Sequence, residues 1–144
     1  MKRMLVWVLA LAAVFALSGC QSEKAARKEI FGLVENNYDE IVRACEDEET
    51  EALLAIEGIE KTKLHAGYVV VYCAGAGIAP SSQDYGFYYS EDGLPAAIDC
   101  NLSILCNDGK LTPKENGYQY VDAGHNVFYT ERIRGKIYFY STAY

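Results

Sequence analysis

The sequence predicts an α+β domain: an N-terminal amphipathic helix, broken into two, packed on an antiparallel β-sheet of hairpins. Two observations carry this. Across residues 22–57 apolar side chains recur at the helical period, and after Gly58 the period falls to two as β-branched and aromatic residues take over. Helices followed by a run of strands pack together on one face of the sheet.

At about 100° per residue, Ile30, Val34, Tyr38, Ile41, Cys45, Ala52 and Ile56 fall on one stripe, while Glu35, Asp39, Glu40 and Arg43 occupy the other sides. A single straight helix of that length would run to roughly 50 Å, longer than a small domain is wide. A break is therefore expected at 47–50, with Thr50 capping a second, shorter helix that Gly58 ends. Strands are expected at 59–65 and 68–74, joined at Ala66-Gly67. After a loop over 75–82, a third strand at 85–90 turns through Glu91-Asp92-Gly93 into a weaker one at 95–100. A loop rich in Asn, Asp, Gly, Pro and Lys covers 106–117, and the last strands are 118–122, 126–134 and 136–142.

The N-terminus reads differently. Lys2 and Arg3 precede an unbroken apolar run, 4–17, and Leu17-Ser18-Gly19-Cys20 closes it. A basic start, a short apolar middle and small residues before a cleavage point form a secretory signal. The run is shorter than the roughly 20 residues a membrane-crossing helix needs. Leu-Ser-Gly-Cys resembles the lipobox of bacterial lipoproteins. The resemblance implies that residues 1–19 are removed, that Cys20 carries a thioether-linked diacylglycerol, and that the protein sits lipid-anchored on the extracytoplasmic face of a bacterial envelope. Two or more acyl chains give stable anchoring. Gln21, where an aspartate would signal inner-membrane retention, implies outward sorting in a host with two membranes. Residues 20–24 then form the lipidated N-terminus and a short tether, and 25–144 a single domain.

Processing removes Lys2, Arg3 and the sole tryptophan, Trp7. That leaves 11 basic against 20 acidic residues, a net charge near −9. This balance excludes nucleic acid, whose affinity rests on Lys and Arg neutralising phosphates, and it excludes a polybasic membrane patch.

With Cys20 lipidated, Cys45, Cys73, Cys100 and Cys106 remain, and four cysteines allow three complete pairings. Cys45 lies on the helical stripe and Cys73 alternates with Val69 and Val71, so both point into the helix–sheet interface. Cys100 and Cys106 are close enough in sequence to close a local loop. An oxidising compartment favours both bonds, and the alternative is four buried, small apolar residues.

Tyrosines are dense at 84–92. Alternation puts Tyr85, Phe87 and Tyr89 on one face of the strand, and Asp84, Tyr88 and Ser90 on the other. With Tyr68, Tyr72, Tyr138 and Tyr140, several tyrosines gather on the sheet face away from the helix. Such a surface suits a protein, peptide or sugar ligand, and Tyr85, Tyr88 and Tyr89 are the binding candidates. The competing explanation is that tyrosine simply favours strands.

Catalytic patterns are weak. Gly75-x-Gly77 lacks the P-loop lysine and the Rossmann spacing, and no G-x-S-x-G elbow precedes Ser81 or Ser82, so no cofactor is implied. His65 and His125 fall in turns, without the cysteine spacing of a metal site. The acidic run 46–49, continued by Glu51, lacks EF-hand spacing. Asp84, Glu91, Asp92 and Glu131 are the carboxylates from which a glycosidase-like pair would be drawn.

Tyr85-Gly86-Phe87-Tyr88-Tyr89-Ser90 and Tyr129-Thr130-Glu131-Arg132-Ile133 resemble segments of small uncharacterised bacterial lipoproteins, which implies no activity. The expectation is a non-enzymatic envelope module binding another protein or a cell-wall polymer. A small envelope hydrolase and an inhibitor or immunity-like lipoprotein are the alternatives.

Overall fold

The computed structural model describes residues 22–77, 81–106 and 109–144. The signal, Cys20, Gln21 and part of the two expected loops lie outside the described residues.

Three helices precede the strands: α1 (Glu23–Asn36), α2 (Tyr38–Glu46) and α3 (Thr50–Leu54). The Ser22 side chain accepts from the Ala25 amide and caps α1, so helix begins inside the expected tether. The sequence predicts one break and the structure has two. The additional one falls at Asn37, whose side-chain amide donates to the Leu33 carbonyl at 2.8 Å and so competes with the helical ladder. The expected break after Glu46 is present, with Glu48 in the left-handed region at φ 56°. Thr50 is the first residue of α3 rather than its cap.

The strands are β1 (Lys61–His65), β2 (Tyr68–Ala76), β3 (Gln83–Ser90), β4 (Ala97–Ile98), β5 (Ile104–Cys106), β6 (Thr112–Lys114), β7 (Gly117–Val121), β8 (Val127–Arg134) and β9 (Ile137–Ala143). Seven form one antiparallel sheet in the order β1-β2-β3-β9-β8-β7-β6, and β4 pairs with β5 in a separate two-stranded sheet. The fold is thus mixed α+β. The expected strand at 95–100 shrinks to β4, β5 arises just before the expected loop at 106–117 and ends at its first residue, and β6 arises inside that loop.

The helices supply Ile30, Val34, Ile41, Ala44 and Leu53 to a core completed by Val69, Val71, Phe87, Ile137 and Phe139 from the sheet. Burying each such large apolar side chain contributes roughly 1.5–3 kcal/mol. A bulge between Tyr72 and Ala74 interrupts the β2–β3 register, and Cys73 and its neighbour Ala74 both join the helix-side core. Glycine is required at 86, where a Cβ would lie 1.9 Å from the Val71 carbonyl oxygen and 2.7 Å from the Tyr140 ring.

The opposite face is also covered. Tyr68, Val70, Tyr88, Tyr138 and Tyr140 pack beneath Ala96, Ile98 and Leu102, which the excursion from β3 to β5 lays across them. Tyr88 and Tyr138 stack at 5.3 Å and 6° between planes. The Ala96 amide donates to the Tyr88 hydroxyl (2.7 Å), and the Thr130 hydroxyl donates to the Phe139 carbonyl (3.0 Å). Thr130 has then spent its proton, so in the 2.6 Å contact between the two hydroxyls Tyr88 donates. Tyr138 donates to the Gly93 carbonyl at 2.6 Å. From the sheet edge, Lys63 donates to the Asn101 carbonyl and the Ser103 hydroxyl, and so ties the cover down.

Candidate functional site

The first half of α1 crosses the sheet beside β8 and leaves a groove of about 420 Å³ between the helix and the β6–β7 hairpin. Arg27 lines it. Its Nε donates to Glu131 Oε2 at 2.8 Å and its Nη2 to Oε1 at 2.6 Å, a bidentate pair. One turn along the helix, the Phe31 ring lies 4.2 Å from the guanidinium carbon. Tyr129 donates its hydroxyl to Glu131 Oε2 at 3.3 Å, and Ser141 donates to Glu23 Oε1 at 3.3 Å. Lys114, Asn116 and Gln119 face them from the hairpin. Gly117 lets that hairpin pack closely against β8, because a Cβ there would lie 2.0 Å from the Thr130 carbonyl oxygen.

The pair sets the electrostatics. The Glu131 hydrogen bond raises the Arg27 pKa, overcoming the opposing effect of burial, so Arg27 stays cationic. Burial, then the charge of Glu131, pushes the Tyr129 phenol up to about 12 and keeps it a donor. Both Glu131 oxygens are engaged, which leaves this carboxylate poorly placed to take a proton from a substrate. Arg27 has spent two of its five N–H groups on Glu131. The arrangement holds polar groups still.

A second cavity, about 270 Å³, lies where α2 meets the β1–β2 turn. Tyr89 donates to Glu46 Oε1 at 3.2 Å, and His65 donates from Nε2 to the Leu102 carbonyl at 2.6 Å. Cys45 sits here with its thiol pushed up to about 12, by burial and then by Glu46, so it is no thiolate nucleophile near neutrality. No cluster of three or more His, Cys, Asp or Glu among the described residues is placed to hold a metal ion.

The tyrosine candidates need correcting. Alternation assigned the faces as the structure has them, but Tyr85, Tyr88 and Tyr89 are 1%, 0% and 5% exposed. Tyr85 and Tyr89 lie in the helix-side core and Tyr88 under the β4–β5 cover. The face expected to be open is a second core. Its exposed fringe on β7 is Tyr118.

The cysteines also depart from expectation, since Cys45, Cys73, Cys100 and Cys106 are all free thiols. Cys45 lines one cavity together with Val69, whereas Cys73 stands four residues beyond Val69 on β2 and lines another, beside Ala26, Ile30 and Leu33. The two thiols thus sit at different levels of the core and are not bonded. Cys106 is buried opposite Ala97, while Cys100 is exposed in the turn, its amide donating to the Tyr144 hydroxyl at 2.7 Å.

The candidate carboxylates do not converge. Glu131 belongs to the groove, and Glu91 and Asp92 are exposed in the turn after β3. Asp84 sits on β3, its pKa raised by burial and partly offset by Lys61. His125 occupies a left-handed turn position (φ 66°) whose chain is held by Asp122. Glu23, Arg27, Gln119, Tyr129 and Ser141 were not anticipated, since 104 residues separate Arg27 from its partner. One signal was present: Glu131 alternates with Tyr129 and Ile133 on the strand face that meets the helices, where a charge demands a partner.

Compared with protein-family models, curated proteins and solved structures, the chain finds no match.

Proposed function

We propose that this chain is a lipid-anchored extracytoplasmic envelope protein, with Cys20 bearing the lipid, that acts as a non-enzymatic binding module through the groove between α1 and the β6–β7 hairpin. The observation that carries the binding part is the Arg27–Glu131 pair, fixed by Tyr129 and Phe31: a rigid, mutually satisfied polar floor suits recognition better than proton transfer. The reading of the anchor rests on the lipobox. Ser22 caps α1 two residues beyond Cys20, so the groove residues Glu23 and Arg27 lie near the attachment point and the site faces ligands close to the membrane. No helix among the described residues is long and apolar enough to cross a membrane. The partners of this reading are the bilayer, through the lipid, and an envelope protein or cell-wall polymer in the groove. A hydrolase draws less support, because both Glu131 oxygens are engaged.

Two measurements test the proposal. Intact mass of the membrane-extracted protein should show acyl mass on a chain starting at Cys20, and Cys20→Ala should abolish both the processing and the membrane fraction. A photo-reactive residue at Gln119 should capture envelope material that the same probe at exposed Leu54 does not. An unprocessed chain sinks the anchor, and equal capture at both positions sinks the groove. Recovery of a lytic enzyme at Gln119 would select the inhibitor or immunity-like form of the reading.

A further inference from the structure

We propose that the groove takes a neutral glycan segment bearing hydroxyl and amide groups; the inference rests on the reading of the groove as a binding site and assigns its ligand class. The argument begins with charge. Glu23, Glu115 and Glu131 stand against Arg27 and Lys114, and the two central charges, Arg27 and Glu131, neutralise each other at hydrogen-bond distance. Neither an anion nor a cation therefore meets a field of one sign. Apolar side chains are few, chiefly Val127 and Ala143, so a hydrocarbon ligand would strand polar groups without partners.

What remains is a surface that offers both donors and acceptors. Arg27 has three N–H groups beyond those given to Glu131. Asn116 and Gln119 each offer an NH2 and a carbonyl oxygen, the same pairing that an acetamido group or a hydroxyl presents in return. The Tyr129 ring is held by its bond to Glu131, so an aromatic wall is in place before any ligand arrives. Prior immobilisation lowers the ordering cost of binding. A volume of about 420 Å³ lies within the ~300–1,000 Å³ of small-ligand sites.

The test titrates the mature, lipidated protein in detergent micelles with the β-1,4-linked tetramer of N-acetylglucosamine, followed by calorimetry. Inorganic phosphate and spermidine serve as the anionic and cationic probes. The tetramer should bind and the two charged probes should not. Gln119→Ala and Tyr129→Phe should each weaken the tetramer about tenfold, a change well above the error of the method, while Leu54→Ala leaves it unchanged. Gln119 is only partly buried, so its truncation keeps the result interpretable if Tyr129→Phe loosens the fold. No tetramer binding at about 5 mM, affinity unchanged in Gln119→Ala, or preference for phosphate or spermidine overturns the glycan assignment. Selective capture by the Gln119 photo-probe alongside any of those results leaves the groove as a binding site for another ligand class. Unselective capture removes the broader reading as well.

Discussion

Three tyrosines on the covered face of the sheet, Tyr88, Tyr138 and Tyr140, are buried alike yet differ in what their hydroxyls do, and one chemical change separates them. Tyr88→Phe removes the acceptor of the Ala96 amide, which is wholly buried, and also the bond to Thr130. An unsatisfied buried N–H costs ~1–3 kcal/mol and a lost hydrogen bond ~0.5–1.5, so the variant should lose about 2–3 kcal/mol. Tyr138→Phe should lose about 1 kcal/mol, because the Gly93 carbonyl keeps its second donor, Arg132, at 3.1 Å. Tyr140 is the reverse case. Its hydroxyl is buried with no hydrogen-bond partner among the described residues, so Tyr140→Phe discards an uncompensated polar group and should be neutral or stabilising by up to about 1 kcal/mol. Urea unfolding of the unlipidated mature chain, followed by far-ultraviolet dichroism, reads all three. At a slope of ~1–3 kcal/mol per molar, the Tyr88 midpoint should fall by about 1–2 M while the Tyr140 midpoint holds or rises. A Tyr140→Phe loss of about 1 kcal/mol or more would mean that its hydroxyl has a partner and that the β4–β5 cover is misplaced.

Four further outcomes follow from the same packing. Thiol labelling of the native mature chain at pH 8 should find one fast cysteine, exposed Cys100, with the other three reacting after unfolding; two or no thiols would reinstate disulfides. Burial pushes Cys45 and Cys73 up to about 12 and slows them further. Gly32→Ala, with nothing within 4 Å of the added carbon, should stabilise α1 by ~0.5–1 kcal/mol. Gly86→Ala forces backbone contact at 1.9 Å and should cost more than ~3 kcal/mol by urea midpoint; equal effects would refute the strand spacing. Glu131→Leu alone should cost ~1–2 kcal/mol, a figure limited by the 37% exposure of the Arg27 side chain, whereas Arg27→Met with Glu131→Leu should recover most of that. Simple additivity in that cycle would deny the coupling. Finally, burial raises Tyr89 and Tyr129 from 10 to about 12. Because the neutral phenol is favoured in the folded state, their stabilising contribution is intact below pH 10 and is lost as the pH rises through about 12. The tyrosinate absorbance of these two side chains, read as the difference from the Tyr89→Phe, Tyr129→Phe double variant, should then rise together with loss of dichroism, and a rise of that difference near pH 10 without unfolding would refute the burial.

Local pattern made most of the elements legible. The turn at Ala66-Gly67 and the Arg134-Gly135-Lys136 turn are short-range chemistry, and each marks a real boundary, whereas the helix expected to end at Gly58 stops at Leu54 and β1 starts at Lys61. The face each tyrosine of β3 takes was equally legible, since strand alternation fixes it. Whether a face meets solvent is another matter, because it depends on a segment elsewhere in the chain. Ala96, Ile98 and Leu102 carry little periodicity, for they cap a sheet rather than extend it, with Leu102 at φ 56°. Asn37 was hidden by an apolar stripe that runs on across the break. The cysteine pairing failed because facing one core does not place two residues at the same level along it.

Covering both faces moves the proposed binding site to the edge of the helix layer. Helices pack against the middle of the sheet on one side and β4–β5 on the other, while β7 and β6 extend past α1 as a wing. Each strand in a twisted sheet turns by roughly 20–25° relative to its neighbour, so a wing two strands wide stands at an angle to the core it leaves. Between that wing and the helix the groove is lined mostly by polar and charged side chains. A buried carboxylate at its base, Glu131, would be costly alone, and α1 answers it with Arg27 from across the gap. Replacing such a pair with hydrocarbon of similar volume is often neutral or stabilising. A fold that needed the contact for stability alone had the apolar alternative at hand, which supports the proposal that the pair and the amides facing it serve a ligand in the groove.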